Sequence, residues 1–337
     1  MTSMPNFDAD APASAEGLVC GYAVDGAGRL EALTAERVDA ALADEDQVVW
    51  LHFDQAGPGT RAWIEQTPYV PDAAKAMLLG GDSHMRIEPA GSGLTGVVGD
   101  LHHEFSQRSD HLDVLRFYLD SDRLISARRE PLTAIDKLQR SLGEGLKMER
   151  PVGLLAQFLH HVTDTLGDIM LELSDDLDKL EEEVLDGGRV NDAAERLNRV
   201  RKVAARLRRH MAPQQHALLG LMARLPGWID DNQANLLRTA IERLGALGHD
   251  LDLVQERSRL LQEQHSARLM EQTNRNLYIL SIATVLALPP TLMTGIFGMN
   301  LGGLPGMQSP MGFWWGLAGM AAVVGLCLVV LRRVKML

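Results

Sequence analysis

The stretch "NLYILSIATVLALPPTLMTGIFGMN", residues 276–300, decides the fold class of this chain. It opens a run that contains no Asp, Glu, Lys or Arg as far as residue 331. A neutral run of this length fits two membrane crossings of about 20 residues each with a short loop between them. We therefore predict a first transmembrane helix at about 277–297, an outer loop at 298–312 and a second transmembrane helix at 313–331.

Basic residues stand at both outer edges of the neutral run. Arg268 and Arg275 precede it, and Arg332, Arg333 and Lys335 follow it. Because short cytoplasmic segments are enriched in Lys and Arg, both chain termini are expected in the cytoplasm and the loop outside. This predicts a multi-pass membrane protein that ends in a basic cytoplasmic tail, 332–337.

The region before the neutral run divides into four predicted segments. Residues 1–17 are polar and acidic and have no apolar core, which predicts a disordered lead and no signal peptide. Strand-like and helix-like patterns alternate over 18–130, typical of a compact cytoplasmic α/β domain. Helical patterns dominate the cytoplasmic region 131–231. From 232 to 297 a helical apolar stripe predicts one stalk helix of about 65 residues, roughly 100 Å long, that continues into the first crossing.

Composition excludes several classes of function. The net charge of −12 argues against nucleic-acid binding and suits the attraction of cations. Seven basic residues within 196–209 are expected to pair with the acidic helix before them. Cys20 and Cys327 lie far apart, so neither a zinc knuckle nor a disulfide framework is indicated. Without a phosphate-binding glycine loop or a catalytic triad, we expect neither an enzyme nor an ATP-driven pump, and no cofactor.

Polar residues interrupt the first crossing. Asn274, Thr284, Thr291 and Thr294 lie broadly together at 100° per residue. They are consistent with a polar path, although Thr hydroxyls also bond back to carbonyls of their own helix. Two helices per chain cannot enclose such a path, so a pore requires several chains. The pair Pro289-Pro290 removes two backbone donors, which favours a packed helix assembly over a lone anchor.

The tripeptide Gly298-Met299-Asn300 stands at the end of the first of two C-terminal crossings, with a long helix before it and a basic tail after the second. This layout resembles the CorA superfamily of divalent-cation transporters. "LGGLPG", residues 301–306, resembles the ZntB zinc-transporter branch, and "SARRE", residues 126–130, resembles the superfamily's cytoplasmic domain. The resemblance implies an α+β membrane protein that assembles as a funnel-shaped homopentamer with its pore lined by the first crossing.

The resemblance also assigns pore positions to residues of this chain. From the outer mouth inward they are Gly298, Met299 and Asn300 at an outer amide ring, Thr291 at a polar ring, Leu288, Leu280 and Leu277 at apolar constrictions, and Asn274 at an inner polar ring. The loop lacks the acidic residue that magnesium-type members often carry, which favours zinc over magnesium. Since the loop also lacks the Cys, His and carboxylate ligands of bound zinc, Asn300 is expected to hold a hydrated ion.

Histidines in the cytoplasmic part form a second set of candidate metal ligands. They are His102 and His103, then His160 and His161 with Asp164 nearby, and finally His249. None of these groups supplies three well-spaced ligands by itself, which a zinc site requires. Two interpretations therefore stay open, a cytosolic metal site and ordinary surface or packing histidines.

The predicted function is transport of Zn²⁺ by a homopentamer in a lipid bilayer, with leakage to Cd²⁺, Ni²⁺ and Co²⁺. Resemblance to the zinc branch also suggests proton-coupled uptake, although the crossings contain no carboxylate or His. Two alternatives remain. One is a magnesium or cobalt transporter of the same superfamily. The other is a membrane-tethered metal sensor or scaffold that conducts nothing.

Overall fold

The computed structural model describes residues 17–25, 28–100, 113–185, 190–299 and 310–333. The strands in these ranges are β1 (Leu18–Val24), β2 (Leu30–Ala32), β3 (Val48–Asp54), β4 (Arg86–Ala90), β5 (Gly93–Asp100), β6 (Asp113–Leu119) and β7 (Arg123–Arg128). The helices are α1 (Val38–Ala43), α2 (Thr60–Gln66), α3 (Asp72–Leu79), α4 (Thr133–Gly143), α5 (Pro151–Leu185), α6 (Val190–Met222), α7 (Asp231–Phe297) and α8 (Gly312–Arg333). The chain divides into two compact units, Met1–Leu260 and Leu261–Leu337.

The strands of the first unit form one sheet in the order β2-β1-β3-β7-β6-β5-β4. All neighbours are antiparallel except β3 and β7, which run parallel. The turn from β6 to β7 is closed by Asp120, whose Oδ1 accepts hydrogen bonds from the backbone N–H of Asp122 (3.0 Å) and Arg123 (2.8 Å). Such side-chain closure is why Asp-rich stretches signal turns, and it explains why this hairpin was predictable.

The two faces of the sheet are covered by different helices. Val49, Leu51 and Phe53 of β3 belong to an apolar core with residues of α1, α2 and α3. The alternate residues Trp50 and His52 point to the opposite face because side chains alternate along a strand. Both faces of β3 are therefore buried, which matches its nearly continuous apolar sequence and its parallel pairing with β7.

A buried hydrogen-bond group on that second face fixes the protonation state of His52. The Ser126 hydroxyl donates to the Leu51 carbonyl (3.1 Å) and accepts from Trp50 Nε1 (3.1 Å), so its one proton is used. His52 Nδ1, 2.9 Å from the same oxygen, must then be the donor. The Nε2 atom of His52 is buried without a hydrogen-bond partner among the described residues. Burial, followed by the charge of Arg128, lowers the pKa of His52 to about 3.

We expect His52 to make the first unit sensitive to acid. Between its ordinary pKa of 6.5 and the folded value of about 3, the unfolded chain takes up a proton at this residue and the folded chain does not. The free energy of unfolding should therefore fall with decreasing pH, by up to about 1.4 kcal/mol per pH unit from this group. His52→Asn, which keeps a donor near the Nδ1 position, should flatten that slope in urea denaturation followed by tryptophan fluorescence. Equal slopes for both proteins would contradict the assignment.

The helices that follow the sheet are joined to it by polar contacts. Gln214 of α6 is buried and its Oε1 accepts a hydrogen bond from the Gly99 backbone N–H of β5 (2.9 Å). Trp228 donates to the Ser92 carbonyl in the β4–β5 turn (3.0 Å).

Of the expected pairs between basic α6 and acidic α5, Arg196–Glu183 is formed at 2.6 Å. Two other carboxylates of α5, Asp178 and Glu181, pair with α7.

Two carboxylates in the acidic run of α5 bind one arginine of α7. Arg257 donates to Asp178 (2.6 Å) and to both carboxylate oxygens of Glu181 (3.2 and 2.8 Å). These hydrogen bonds raise the pKa of Arg257. A partner almost 80 residues away leaves no local pattern in the sequence, whereas the basic residues of α6 stand close by in the chain. Proximity in sequence therefore predicts the Arg196–Glu183 pair but gives no signal for Arg257.

Helix α7 spans Asp231–Phe297, where the sequence predicts a helix from 232. Its start is fixed by a reciprocal pair of hydrogen bonds. The Asp230 carboxylate accepts from the Gln233 backbone N–H (2.8 Å), and the Gln233 amide oxygen accepts from the Asp230 N–H (3.2 Å). This capping box satisfies two donors that the first turn leaves unpaired. The helix then continues through Pro289 and Pro290 without an interruption.

Candidate functional site

The second unit exposes the apolar surface of two helices. The part of α7 from residue 261 and the whole of α8 are long and apolar enough to cross a membrane. In the most apolar 18-residue stretch of each helix, 0% and 6% of the residues are buried. Leu277, Leu280 and Leu288 are 56%, 62% and 62% exposed. Exposed apolar surface along most of two helices is unfavourable in water. A bilayer, further copies of the chain, or both must therefore cover them.

One face of α7 carries the residues that the sequence places along a path. At 100° per residue, the positions from Asn274 to Thr291 that were predicted to line a pore lie within about 120° of each other. A groove of about 850 Å³ runs along this face from Ala283 to Met299 and includes Thr284, Leu288 and Thr291 among its lining residues. Asn274, Leu277 and Leu280 are exposed on the same helix but lie outside the groove.

The threonine hydroxyls of this face donate to their own helix. Thr284 donates to the Leu280 carbonyl and Thr291 to the Ala287 carbonyl, each at 2.8 Å, and Thr294 donates to the Thr291 carbonyl at 2.9 Å. The back-bonded alternative is thus the one that the structure contains. Because the hydroxyl proton is used within the helix, each oxygen offers only lone pairs to its surroundings. An acceptor without a free proton suits a cation or the water molecules around one.

The end of α7 requires a glycine. The Gly298 N–H donates to the Thr294 carbonyl (2.8 Å) and the Met299 N–H to the Ile296 carbonyl (3.3 Å), which closes the last turn. A Cβ atom at Gly298 would lie 2.9 Å from the Thr294 carbonyl oxygen, closer than backbone atoms allow. The first residue of the Gly-Met-Asn tripeptide therefore has a structural reason. Asn300, predicted to form the outer ring, lies just outside the described residues.

Close packing joins α8 to α7 within the second unit. A Cβ atom at Gly319 of α8 would lie 3.4 Å from the Met293 Cε of α7. Small residues permit such approach between membrane helices, where packing replaces the hydrophobic effect as the source of association. At Gly316 and Gly325 a Cβ atom would meet nothing within 4 Å, so these two glycines leave open surface on α8.

His160 lies beside an ion pair between Asp164 and Arg243 in the first unit. The Asp164 carboxylate binds Arg243 at 2.6 Å, and the same guanidinium lies 3.1 Å from His160 Nδ1. His161 lies 3.4 Å from both Ser141 Oγ and Gln157 Nε2, and burial lowers the pKa of His161. The sequence contains no signal for Arg243, which stands 83 residues from His160.

These contacts bear on the predicted cytosolic metal ligands. Arg243 occupies the carboxylate that a metal ion would share with His160 and His161. His249 is exposed, and His102 and His103 lie outside the described residues. Across the ranges that the structure describes, no group of three or more His, Cys, Asp or Glu side chains is arranged to hold a metal ion.

The family of the chain follows from comparison with known proteins. A family model described as "CorA-like Mg2+ transporter protein" matches residues 45–333, most of the chain. The chain belongs to the CorA family. The resemblance drawn from the Gly-Met-Asn tripeptide and its two flanking crossings is thereby confirmed.

CorA-family relatives match this chain over almost their full length. The zinc transport protein ZntB of Yersinia enterocolitica is 28% identical over 295 residues, which cover 88% of each chain. The divalent cation transporter CmaX of Pseudomonas aeruginosa is 28% identical over 322 residues, 95% of this chain and 97% of that one. A zinc transport protein and a more broadly named cation transporter are thus equally similar to it.

Solved CorA-family structures share the fold. Full-length CmaX superposes with a TM-score of 0.80 at 26% identity and covers 96% of this chain and 100% of its own. The CorA magnesium transporter of Methanocaldococcus jannaschii gives a TM-score of 0.77 at 19% identity, over 94% of this chain and 98% of its own, which shows the fold alone. An N-terminal α/β domain, a long helix and two candidate C-terminal transmembrane helices are therefore the architecture of this chain.

Proposed function

We propose that this chain transports divalent cations, with Zn²⁺ as the preferred ion, through a homopentameric pore in a bacterial inner membrane. The observation that carries the proposal is the exposed face of α7. It combines back-bonded threonines with apolar residues along one groove, in a chain that belongs to the CorA family. The zinc and divalent-cation names of relatives that match this chain almost end to end support the choice of substrate.

The chemistry of the face favours passage of a hydrated ion. Five copies of α7 around an axis would present rings of Thr291 and Thr284 oxygens to the water shell of the cation. Each helix C-terminus carries about half a negative charge, so five of them would attract cations at the outer mouth, where Asn300 stands. The apolar rings of Leu288, Leu280 and Leu277 would restrict the path between the polar ones. Direct zinc ligands are absent from 276–331 apart from Cys327, which fits an ion that keeps its water.

Both termini are proposed to lie in the cytoplasm, since basic residues flank the two crossings on that side. The membrane potential then favours entry of a divalent cation by about 4.6 kcal/mol per 100 mV, twice the value for one charge. A proton gradient would add to this driving force if uptake is proton-coupled. Because the crossings contain no carboxylate or His, a coupling proton would have to bind elsewhere in the chain.

Uptake into proteoliposomes tests substrate and coupling together. We expect Zn²⁺ to enter faster than Cd²⁺, Ni²⁺, Co²⁺ or Mg²⁺, and an inward proton gradient to accelerate it. Faster Mg²⁺ or Co²⁺ entry would replace zinc by the magnesium and cobalt alternative. No flux of any ion above protein-free liposomes would leave the sensor or scaffold as the better interpretation.

The oligomeric state is a separate expected result. A bilayer could cover the exposed apolar surface of the second unit, whereas a continuous polar path along α7 would need several chains around one axis. Native mass spectrometry in detergent should give a mass five times that of the 37.0 kDa chain. A stable monomer or dimer would contradict a pore lined by α7.

A further inference from the structure

Within the part of the chain that the structure describes, Arg116 of β6 is a buried cation that forms no ion pair. Its side chain lies inside the first unit, where the residue is 3% exposed. Nη2 donates to the Asp82 backbone carbonyl at 2.9 Å. Nε and Nη1 are buried and have no hydrogen-bond partner among the described residues. Charged side chains are almost never fully buried unless they are paired, so this arrangement lacks a compensating group.

The charged neighbours of Arg116 make the imbalance larger. After burial, the charge of Arg129 is the strongest influence that lowers the pKa of Arg116, and Arg86 acts in the same direction. Of the carboxylates that the structure describes, Asp82 has an opposing effect on this pKa. That carboxylate is already bound by Arg86 (2.7 Å) and His84 (2.5 Å). Arg86 also pairs with Glu88 at 3.5 Å, so three guanidinium groups stand beside two carboxylates, a local excess of one positive charge.

The surroundings give this cluster an opening towards solvent. Residues 80–85, which follow α3, have no regular structure, and 81–84 are exposed. Gly81 lies beside Arg129, because a Cβ atom there would be 3.7 Å from Arg129 Nη2. Arg129 is exposed and forms no ion pair with any described residue. The exposed segment thus lies between solvent and the buried guanidinium, with Arg129 and Arg86 beside it.

We propose that Arg116, Arg129 and Arg86 bind a small oxyanion of the phosphate class beneath residues 81–84. Planar guanidinium groups donate two parallel hydrogen bonds to such oxyanions, a geometry that chloride cannot use. The anion accepts the hydrogen bonds that Nε and Nη1 of Arg116 otherwise lack, and the loop moves to admit it. Inorganic phosphate and the phosphate group of a nucleotide share this chemistry.

Binding is measured on the full chain in detergent, at constant ionic strength in chloride buffer with EDTA, so that bound metal recruits no phosphate. Isothermal titration with inorganic phosphate should show saturable binding. Arg129→Gln, an exposed substitution, should weaken it at least about tenfold, the effect of losing a hydrogen bond to a charged group. Arg61→Gln on α2, another exposed arginine, is the matched control and should bind as the wild type does. Tighter binding of ATP than of phosphate would identify a nucleotide as the source of the phosphate group.

Arg116→Met separates an anion site from a purely structural arginine. In phosphate-free buffer the variant should melt at a higher temperature than the wild type, because an uncompensated buried charge is gone. Saturating phosphate should raise the melting temperature of the wild type and leave the variant unchanged. Equal losses of stability with and without phosphate would overturn the proposal. So would phosphate binding that Arg129→Gln and Arg61→Gln affect alike.

Discussion

Leu253→Pro is expected to abolish metal transport, although residue 253 is far in sequence from the neutral run. Position 253 lies within α7, and its side chain is 51% exposed in the single chain. Proline has no N–H to donate to the His249 carbonyl, and its ring clashes with that carbonyl. The cost is about 3 kcal/mol or more in a helix interior, roughly a hundredfold in the population of intact helix. If α7 acts as one rod, flux or pentamer yield must fall.

Leu253→Ala is the matched control for that experiment. Alanine shortens the same side chain but is the best helix former, so the rod stays intact. Zinc uptake into proteoliposomes and the yield of pentamer by native mass spectrometry are measured for both variants. Wild-type flux and assembly in Leu253→Pro would show that an unbroken α7 is not needed. Failure of Leu253→Ala as well would assign the effect to the exposed side chain and not to helix continuity.

The long-range architecture was predictable because the signals for it are local. The absence of charge over 276–331 marks the two apolar helices through composition alone. The absence of proline from 232 to 288 marks the uninterrupted part of α7. Hairpins at Ser92 and at Asp120 follow from turn residues between apolar runs. Each of these signals concerns residues within one element or one turn, where spacing and residue type carry the information.

Contacts between distant elements were not predictable from spacing. Arg257 binds α5 across almost 80 residues, and Arg243 reaches His160 across 83 residues. Arg116 and His52 sit on strands whose apolar pattern gave no reason to single them out. Helix and strand periods tell which face of an element is buried, but they do not identify the residue on the other side. His160 is the clearest case, because the sequence pattern left a metal site open there and gave no signal for Arg243.

The same distinction applies to the candidate pore. Spacing at 100° per residue places the predicted pore residues on one face of α7, and the groove there includes Leu288, Thr291 and Met299. Spacing does not show that the threonine hydroxyls donate to carbonyls of their own helix. It also does not show why residue 298 is glycine, since the reason is the short distance from a Cβ atom at that position to the Thr294 carbonyl oxygen. Family resemblance alone supplies the role of Asn300.

Asn300→Leu is expected to stop zinc flux while the pentamer stays intact. The substitution removes the amide oxygens that are proposed to hold the water shell of the ion at the outer mouth. If residue 300 lines the mouth as proposed, it contributes little to packing, so assembly should not change. Met311→Leu is the matched control, since its side chain is apolar and 61% exposed and its replacement keeps the amide ring. Zinc uptake at the wild-type rate in Asn300→Leu would show that the amide ring is not the entry site.

Asn300→Asp is expected to strengthen zinc binding at the outer mouth, in contrast to Asn300→Leu. A carboxylate is a direct zinc ligand and an amide is not, so five carboxylates in a ring should bind Zn²⁺ more tightly. Conduction requires binding weak enough to release the ion, so maximal flux should fall while the zinc concentration for half-maximal flux also falls. Like charges in the ring raise one another's pKa, and protonation at lower pH should weaken binding again. The test is zinc uptake measured against zinc concentration at several pH values. Unchanged affinity and flux at every pH would place residue 300 outside the ion path.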